Sequence, residues 1–317
     1  MLINEILGIK YPIIQGAMTS ISDGRFAAEV SKAGGLGIIA SGTWDKERVR
    51  KEIHIAKSIT SNSIGVNIYM MSPYVNDIIS LVIEEKIGIC TTGAQSPEMY
   101  IKRLVDANVK VFPVVSSVTL AKRMVRYGIS GIIAEGMESG GHIGDETTMA
   151  LIPQMVKELD IPVIAAGGIA SGSQLAACLA MGACGIQIGT RLLASSECMI
   201  HKNYKDAIVN ARDNSTLVIL KSRGTPIRVY KNRLSKKYVT LEKNNELLDD
   251  VIKEGEESLE KGLFSGDVDW AALPMGQIAG FISDIKPIKE IFDDIIKESL
   301  VAFDSLNDNI NKLKEID

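Results

Sequence analysis

Eight short apolar runs alternate with helical patterns over roughly the first two hundred residues, and no other feature of this 317-residue chain restricts its fold so far. The runs are YPIIQGAM (11–18), GLGIIAS (35–41), SIGVNIYM (63–70), IGICTTGA (87–94), KVFPVVSS (110–117), GIIAEGME (131–138), PVIAAGGI (162–169) and GIQIGTRLL (185–193). Each is rich in Ile or Val and too short for a typical helix. Several are apolar on both faces, as strands buried in a parallel sheet are. Helix signals fall between them. Ser72-Pro73 and Ser96-Pro97 set a cap before a proline, and Ser171 to Gln174 has capping-box spacing. Gly34-Gly35 and Gly128 mark helix ends.

Consecutive β-then-α units give either an open doubly wound sheet or a closed barrel. Eight units predict the α/β class and the (β/α)8 TIM barrel. A dinucleotide-binding open sheet would carry GxGxxG after its first strand, and QGAMTS does not match it. The barrel is expected over residues 1–195. Residues 196–317 are expected to supply barrel-closing helices and a small cap after strand eight. TLVILKS (216–222) and PIRVYKN (226–232) flank Arg223-Gly224-Thr225 as a hairpin. Residues 234–264 read as charged, solvent-facing helix. The tail from Pro287 to Leu313 reads as an amphipathic helix with Ile288, Ile291, Ile295 and Leu300 on one face.

Composition removes several function classes. The net charge is −4, with signs interspersed, so nucleic acid is not an expected partner. No apolar run reaches the roughly 18 residues of a membrane span. The N-terminal stretch lacks a positive n-region, so it does not read as a signal peptide. The four cysteines lack CxxC spacing; three fall in apolar or helical stretches and read as buried thiols, and the cytoplasm is the expected compartment. No His, Cys, Asp and Glu spacing suggests a metal site, and none is expected.

In this barrel, active sites form at the C-terminal ends of the strands. Those ends carry Gln15-Gly16-Ala17-Met18, Asn67, Thr91-Thr92-Gly93, EGMESGGHIG (135–144), Ala166-Gly167-Gly168 and Gln187-Ile188-Gly189-Thr190-Arg191. The last two turns are the usual phosphate cradle of the fold, which makes Gly167, Gly168, Gly189 and Thr190 candidates. His142 stands in a glycine-rich loop where a ligand can approach the backbone closely. His54 and His201 fall in helical stretches and read as structural or surface groups.

Taken together, QGAM, GVNI, EGMESGGHIG, PVIAAGGIASG, QIGTRLLASSE and MGQIAG resemble the FMN-dependent enoyl-ACP reductase II family, itself related to the nitronate monooxygenases. The segments match in order over almost the whole chain. GGH and QIGTR belong to both groups. The longer EGMESGGHIG, YKDAIVNARD (204–213) and the late MGQIAG look more like the reductase. Ser139 stands where alanine is expected, and Asp145 where a basic residue is expected.

The resemblance implies an FMN-containing, NADH-dependent reduction of trans-2-enoyl thioesters on acyl carrier protein, with stimulation by monovalent cations. It is compatible with a homodimer. With no Rossmann fingerprint, NADH is expected to share the cavity with the acyl substrate in alternate turns. FMN is then expected on Gly16, Ala17, Met18, Asn67, Glu135, Gly140, Gly141, Gly167, Gly168, Gln187, Gly189 and Thr190. Met275 and Gln277, in the late loop, are placed on the substrate side.

His142 is the expected catalytic residue. Negative charge develops on the thioester carbonyl as hydride reaches the β-carbon, and a donor there stabilises it. Imidazole can also relay a proton near neutral pH. Glu138 and Asp145 read as solvated loop charges. Arg223, Arg228, Lys231, Arg233, Lys236 and Lys237 form a basic stretch that is either ordinary surface or a docking face for the acidic carrier. Three other functions remain open at this level. They are nitronate oxidation with FMN and O₂, a non-catalytic barrel binding a phosphorylated ligand, and a hydrolase for which no constellation is visible.

Overall fold

The eight apolar runs fold as eight parallel strands around one barrel. The computed structural model describes residues 1–246 and 249–314. The first six strands are β1 (Ile13–Gln15), β2 (Gly37–Ala40), β3 (Ile64–Tyr69), β4 (Ile89–Gly93), β5 (Lys110–Val115) and β6 (Ile132–Glu135). β7 is only Gly141–His142 and leaves the barrel. β8 (Val163–Ala166) and β9 (Gly185–Ile188) return to it. The order is β1-β9-β8-β6-β5-β4-β3-β2. A bridge between Ile14 and Leu36 joins the two ends, with Gln15 N–H donating to Leu36 O at 2.9 Å.

Side chains alternate in and out along each strand. Outward residues such as Ile39, Val66, Val111 and Ile186 pack under the helices. The inward set, Ile14, Leu36, Ile38, Ile89, Phe112, Ile133 and Ile164, makes a separate cluster with Ile3 and Leu7. Those two belong to α1 (Ile3–Leu7), which closes the N-terminal end of the barrel. Ile3 N–H donates to Cys184 O at 2.7 Å, just before β9 begins. One end is therefore plugged with apolar side chains, and chemistry is left to the other.

The outer helices are α2 (Gly24–Ala33), α3 (Lys46–Ile59), α4 (Val75–Glu84), α5 (Glu98–Asp106), α6 (Val118–Val125), α7 (Thr148–Glu158) and α8 (Gly172–Ala180). Asp23, Asp45 and Ser117 cap α2, α3 and α6 through side-chain oxygens, and Ser171 forms the expected capping box with Gln174. The two Ser-Pro signals start helices later than the sequence suggests. α4 begins at Val75, with Ser72 Oγ accepting from Tyr74 N, and α5 begins at Glu98.

Beyond β9 come α9 (Thr190–Leu193) and α10 (Lys202–Val209), then the predicted hairpin, β10 (Thr216–Ile219) and β11 (Ile227–Tyr230). The expected single helix over 234–264 resolves into α11 (Arg233–Lys243) and α12 (Asp249–Glu260), followed by a π turn at Lys261–Ser265. It is not wholly solvent-facing, because Leu234, Tyr238 and Leu263 are buried. α13 (Ile288–Lys314) buries Ile288, Ile291, Phe292 and Ile295, each contributing about 1.5–3 kcal/mol. Leu300 is exposed, contrary to expectation, and Ser299 takes the buried position. α13 crosses the start of α8 so closely that a Cβ on Gly172 would lie 2.3 Å from Ser299 N. Only small residues fit that crossing.

Candidate active site

The open mouth is polar where the plugged end is apolar. Two residues beyond inward-facing Ile89 and Ile133 stand Thr91 and Glu135, on the same face by strand alternation. Asn67 is the register partner of Thr91 and donates its Nδ2–H to Thr91 Oγ1 at 2.9 Å. Glu135 is paired with Ala166, and Ala166 with Gln187. Asn67, Thr91 and Gln187 are buried, and Glu135 is partly buried. Burial pushes the Glu135 carboxyl up to about 7; the nearby Ser139 hydroxyl opposes this without forming a well-made hydrogen bond.

The first loop closes one side of the mouth. Gly16 N–H donates to Ile188 O at 2.8 Å, and a Cβ on Gly16 would lie 3.6 Å from Gly189 Cα. Met18 N–H is held by Ser22 Oγ at 3.0 Å, and Met18 Sδ lies 3.8 Å from the Cβ direction of Gly189. Gly16, Met18, Gly189 and Thr190 are thus brought together. Ala17 is exposed at the tip.

Gly167 and Gly168 have φ values of +94° and +73°, a conformation open to glycine and costly for other residues. A Cβ on Gly167 would also meet Gly136 O at 2.8 Å. The pair lines a cavity of about 320 Å³ together with Glu138, Thr148, Gln277 and Ile278. Gln277 is exposed there, and its N–H donates to Glu138 O at 2.9 Å. Met275 is fully buried in the core. There it packs the 272–280 segment, which lies over Gly140.

The histidine loop is braced on both sides of His142. A Cβ on Gly140 would lie 2.8 Å from Met275 N and from Gly276 N. Gly276 N–H in turn donates to Thr190 Oγ1 at the end of β9. On the other side of the histidine, a Cβ on Gly144 would meet Ser116 Cβ at 2.3 Å, just past β5. His142 therefore spans the rim between the ends of β9 and β5. It is exposed, and so accessible to a ligand at the mouth.

Three features of this loop escaped sequence reading. Gly141 and His142 form a strand that pairs antiparallel with β11, giving the sheet order β10-β11-β7. Glu138 is not a solvated charge, because both its carboxylate oxygens accept from Thr148 N at 3.0 Å and so cap α7. Arg228 is not part of an exposed basic stretch; it is buried beneath the loop. The signal available was the alternation Ile227-Arg228-Val229-Tyr230, which puts Arg228 opposite two apolar residues but does not say what covers it. Arg223, Lys231, Arg233, Lys236 and Lys237 are exposed. Asp145 is exposed too. His54 bonds Glu85 at 3.0 Å, and His201 caps α10 by accepting from Asn203 N. The four cysteines are buried free thiols, pushed up by burial.

This donor set fits flavin mononucleotide. Gly167 and Gly168 border the cavity, and a phosphate there or at the Gly189-Thr190 turn would meet backbone N–H groups. Glu135 and Gln187 offer partners for ribityl hydroxyls. The amides of Asn67 and Gln187 suit the edge of a flat heterocycle.

A family model described as nitronate monooxygenase matches residues 1–298. A structure of FabK from Thermotoga maritima is 40% identical, with a TM-score of 0.94 over 97% of this chain and 98% of that one. A probable nitronate monooxygenase from Staphylococcus aureus is 32% identical, covering 73% of this chain and 78% of its own. A 5-hydroxy-7a-methyl-1-oxo-octahydro-1H-indene-4-carboxyl-CoA dehydrogenase from Rhodococcus jostii is 28% identical over 96% of this chain and 97% of its own.

Proposed function

The chain belongs to the nitronate monooxygenase family, and within it we propose that this member is an NADH-dependent, FMN-containing enoyl-ACP reductase. The observation that carries the reading is the 40% identity to FabK over nearly the full length of both chains. The likeness to the probable nitronate monooxygenase is lower and spans less of this chain. EGMESGGHIG, YKDAIVNARD and MGQIAG support the same choice.

When bound, FMN would carry a hydride from NADH to the β-carbon of a 2,3-unsaturated acyl thioester, and the α-carbon would take up a proton to complete the saturated chain. The chain's own residues do the rest. Residues 1–195 hold the flavin, with the phosphate at Gly167, Gly168, Gly189 and Thr190 and the ring and ribityl chain over Asn67, Glu135 and Gln187. The loop carrying His142 overhangs the mouth, and its imidazole N–H donates to the thioester oxygen as charge builds there. Residues 196–317 close and brace the rim. Lys231, Lys236 and Lys237 offer an exposed cationic face to an acidic carrier protein.

The alternative, nitronate oxidation by O₂, is favoured by the family description and by the Staphylococcus relative. One anaerobic experiment separates the two. NADH should bleach the flavin of the reductase, and a crotonyl thioester should restore its colour. A flavin that ignores NADH and responds to an alkyl nitronate would overturn the proposal. Purified protein without flavin absorbance would point to a non-catalytic barrel.

A further inference from the structure

We propose that Arg228 is a positioning residue that holds the His142 loop from beneath, so that the cap sets the geometry of the reaction. The inference rests on the reading of His142 as the group that meets the substrate carbonyl.

Arg228 engages the loop at two points. Its backbone lies in β11 opposite Gly141, while Ile227 lies opposite His142. Its side chain turns back, and Nε–H donates to Met137 O at 3.0 Å. One residue thus spans the segment from 137 to 141. A second side-chain bond, from Nη1 to Thr216 Oγ1 at 3.2 Å, fixes the guanidinium to β10. Pro226 adds a further hold, its carbonyl accepting from Ile143 N at 3.1 Å.

The chemistry explains why an arginine sits there. Gly136, Gly140 and Gly141 make the loop loose by default, because glycine carries the largest backbone entropy. A donor that must meet an oxyanion needs placement within roughly 0.5 Å. Arginine offers several N–H groups in a rigid fork, whereas lysine is a point charge on a flexible stem. Arg228 is only 4% exposed. The Glu138 carboxylate is near enough to favour its charge, while burial works against it. A buried guanidinium is expensive. Here its N–H groups are spent on the backbone of the histidine loop and on the strand beside it.

The test uses flavin-loaded protein and three variants, R228M, R228K and H142A, with the R228M/H142A double. Hydrogen exchange in peptides covering 137–147 should speed by at least about ten-fold in R228M, and exchange in β3 and β4 should not change. Reoxidation of the reduced flavin by crotonyl thioester should slow by about 10- to 100-fold in R228M. R228K should recover part of the loss. The double variant should be no slower than H142A alone, because both changes remove one interaction. Unchanged exchange over 137–147, or losses that multiply in the double variant, would overturn the proposal. If wild-type flavin ignores the enoyl thioester, the functional reading fails by itself, and hydrogen exchange still decides whether Arg228 holds the loop.

Discussion

The Gly276 N–H donates to Thr190 Oγ1 across 3.0 Å, joining the late loop to the first residue of α9, just past the eighth barrel strand. The bond uses a lone pair of the hydroxyl and leaves its proton free to donate. On the proposed function, that proton would go to the flavin phosphate while Thr190 anchors the loop that packs on Gly140. Thr190→Val removes both functions and leaves a buried N–H without a partner, at about 1–3 kcal/mol. The expected result is a lower denaturation midpoint and flavin lost on dialysis. Thr190→Ser should keep both properties near wild type. A valine variant that holds flavin as tightly as the serine variant would contradict this.

Glu135 gives the site a pH signature. Burial raises its folded-state value from 4.5 to about 7. The folded protein then holds this proton more tightly than the unfolded chain does. The carboxyl's contribution is fully present below about pH 4.5 and is lost as pH rises through about 7. Glu135→Gln is neutral throughout. In flavin-free protein, the variant should gain stability relative to wild type across that window, by on the order of 2–3 kcal/mol. Paired urea titrations at about pH 5 and pH 8 measure it. A difference that does not grow with pH would show that the carboxylate is well solvated.

Gly140 and Gly141 should fail in different ways. A Cβ at 140 collides with the backbone of Met275 and Gly276, whereas Gly141 has open space and a φ of +82°. Gly141→Ala should therefore cost only the left-handed strain, about 1–2 kcal/mol. Gly140→Ala must push two loops apart, which also strains the bond to Thr190. Thermal melts with flavin release should show the larger loss, and earlier release, in the alanine at 140. Equal losses would mean the late loop yields easily.

Much of this could be read from residue order because it depends on local periodicity. Short Ile- and Val-rich runs alternating with helix signals read as buried parallel strands, and the glycines at their ends mark the rim. What could not be read depends on contacts between distant segments. β7 is two residues long and has no pattern of its own; it exists only because β11 lies beside it. Arg228 looked like a surface cation because its neighbours Lys231 and Arg233 are, and only the return of loop 137–141 buries it. Glu138 looked solvated because the N-terminus of α7 that it caps begins ten residues later. Leu300 was misplaced because the close crossing at Gly172 demands a small side chain, and Ser299 supplies it. The full burial of Met275 was equally hidden, because a glycine-bearing loop suggests a rim and does not say how deep its side chains pack.

His142 offers the most direct check on the chemistry. Its neighbours fix the backbone from both sides, through β11 and through the packing of Gly140 and Gly144, so replacing the imidazole should leave the loop in place. In the proposed mechanism the imidazole meets the thioester and not the flavin, so His142→Ala should purify with flavin. Losing the donor to a developing oxyanion costs about 10²- to 10³-fold. Reoxidation of the reduced flavin by crotonyl thioester should therefore slow by about 10² or more, with the melting temperature nearly unchanged. His142→Gln, which keeps an N–H donor but cannot relay a proton near neutral pH, should lie between the two if charge stabilisation dominates. If glutamine is as slow as alanine, proton transfer is the histidine's main task. Wild-type turnover in His142→Ala would remove the residue from the mechanism altogether.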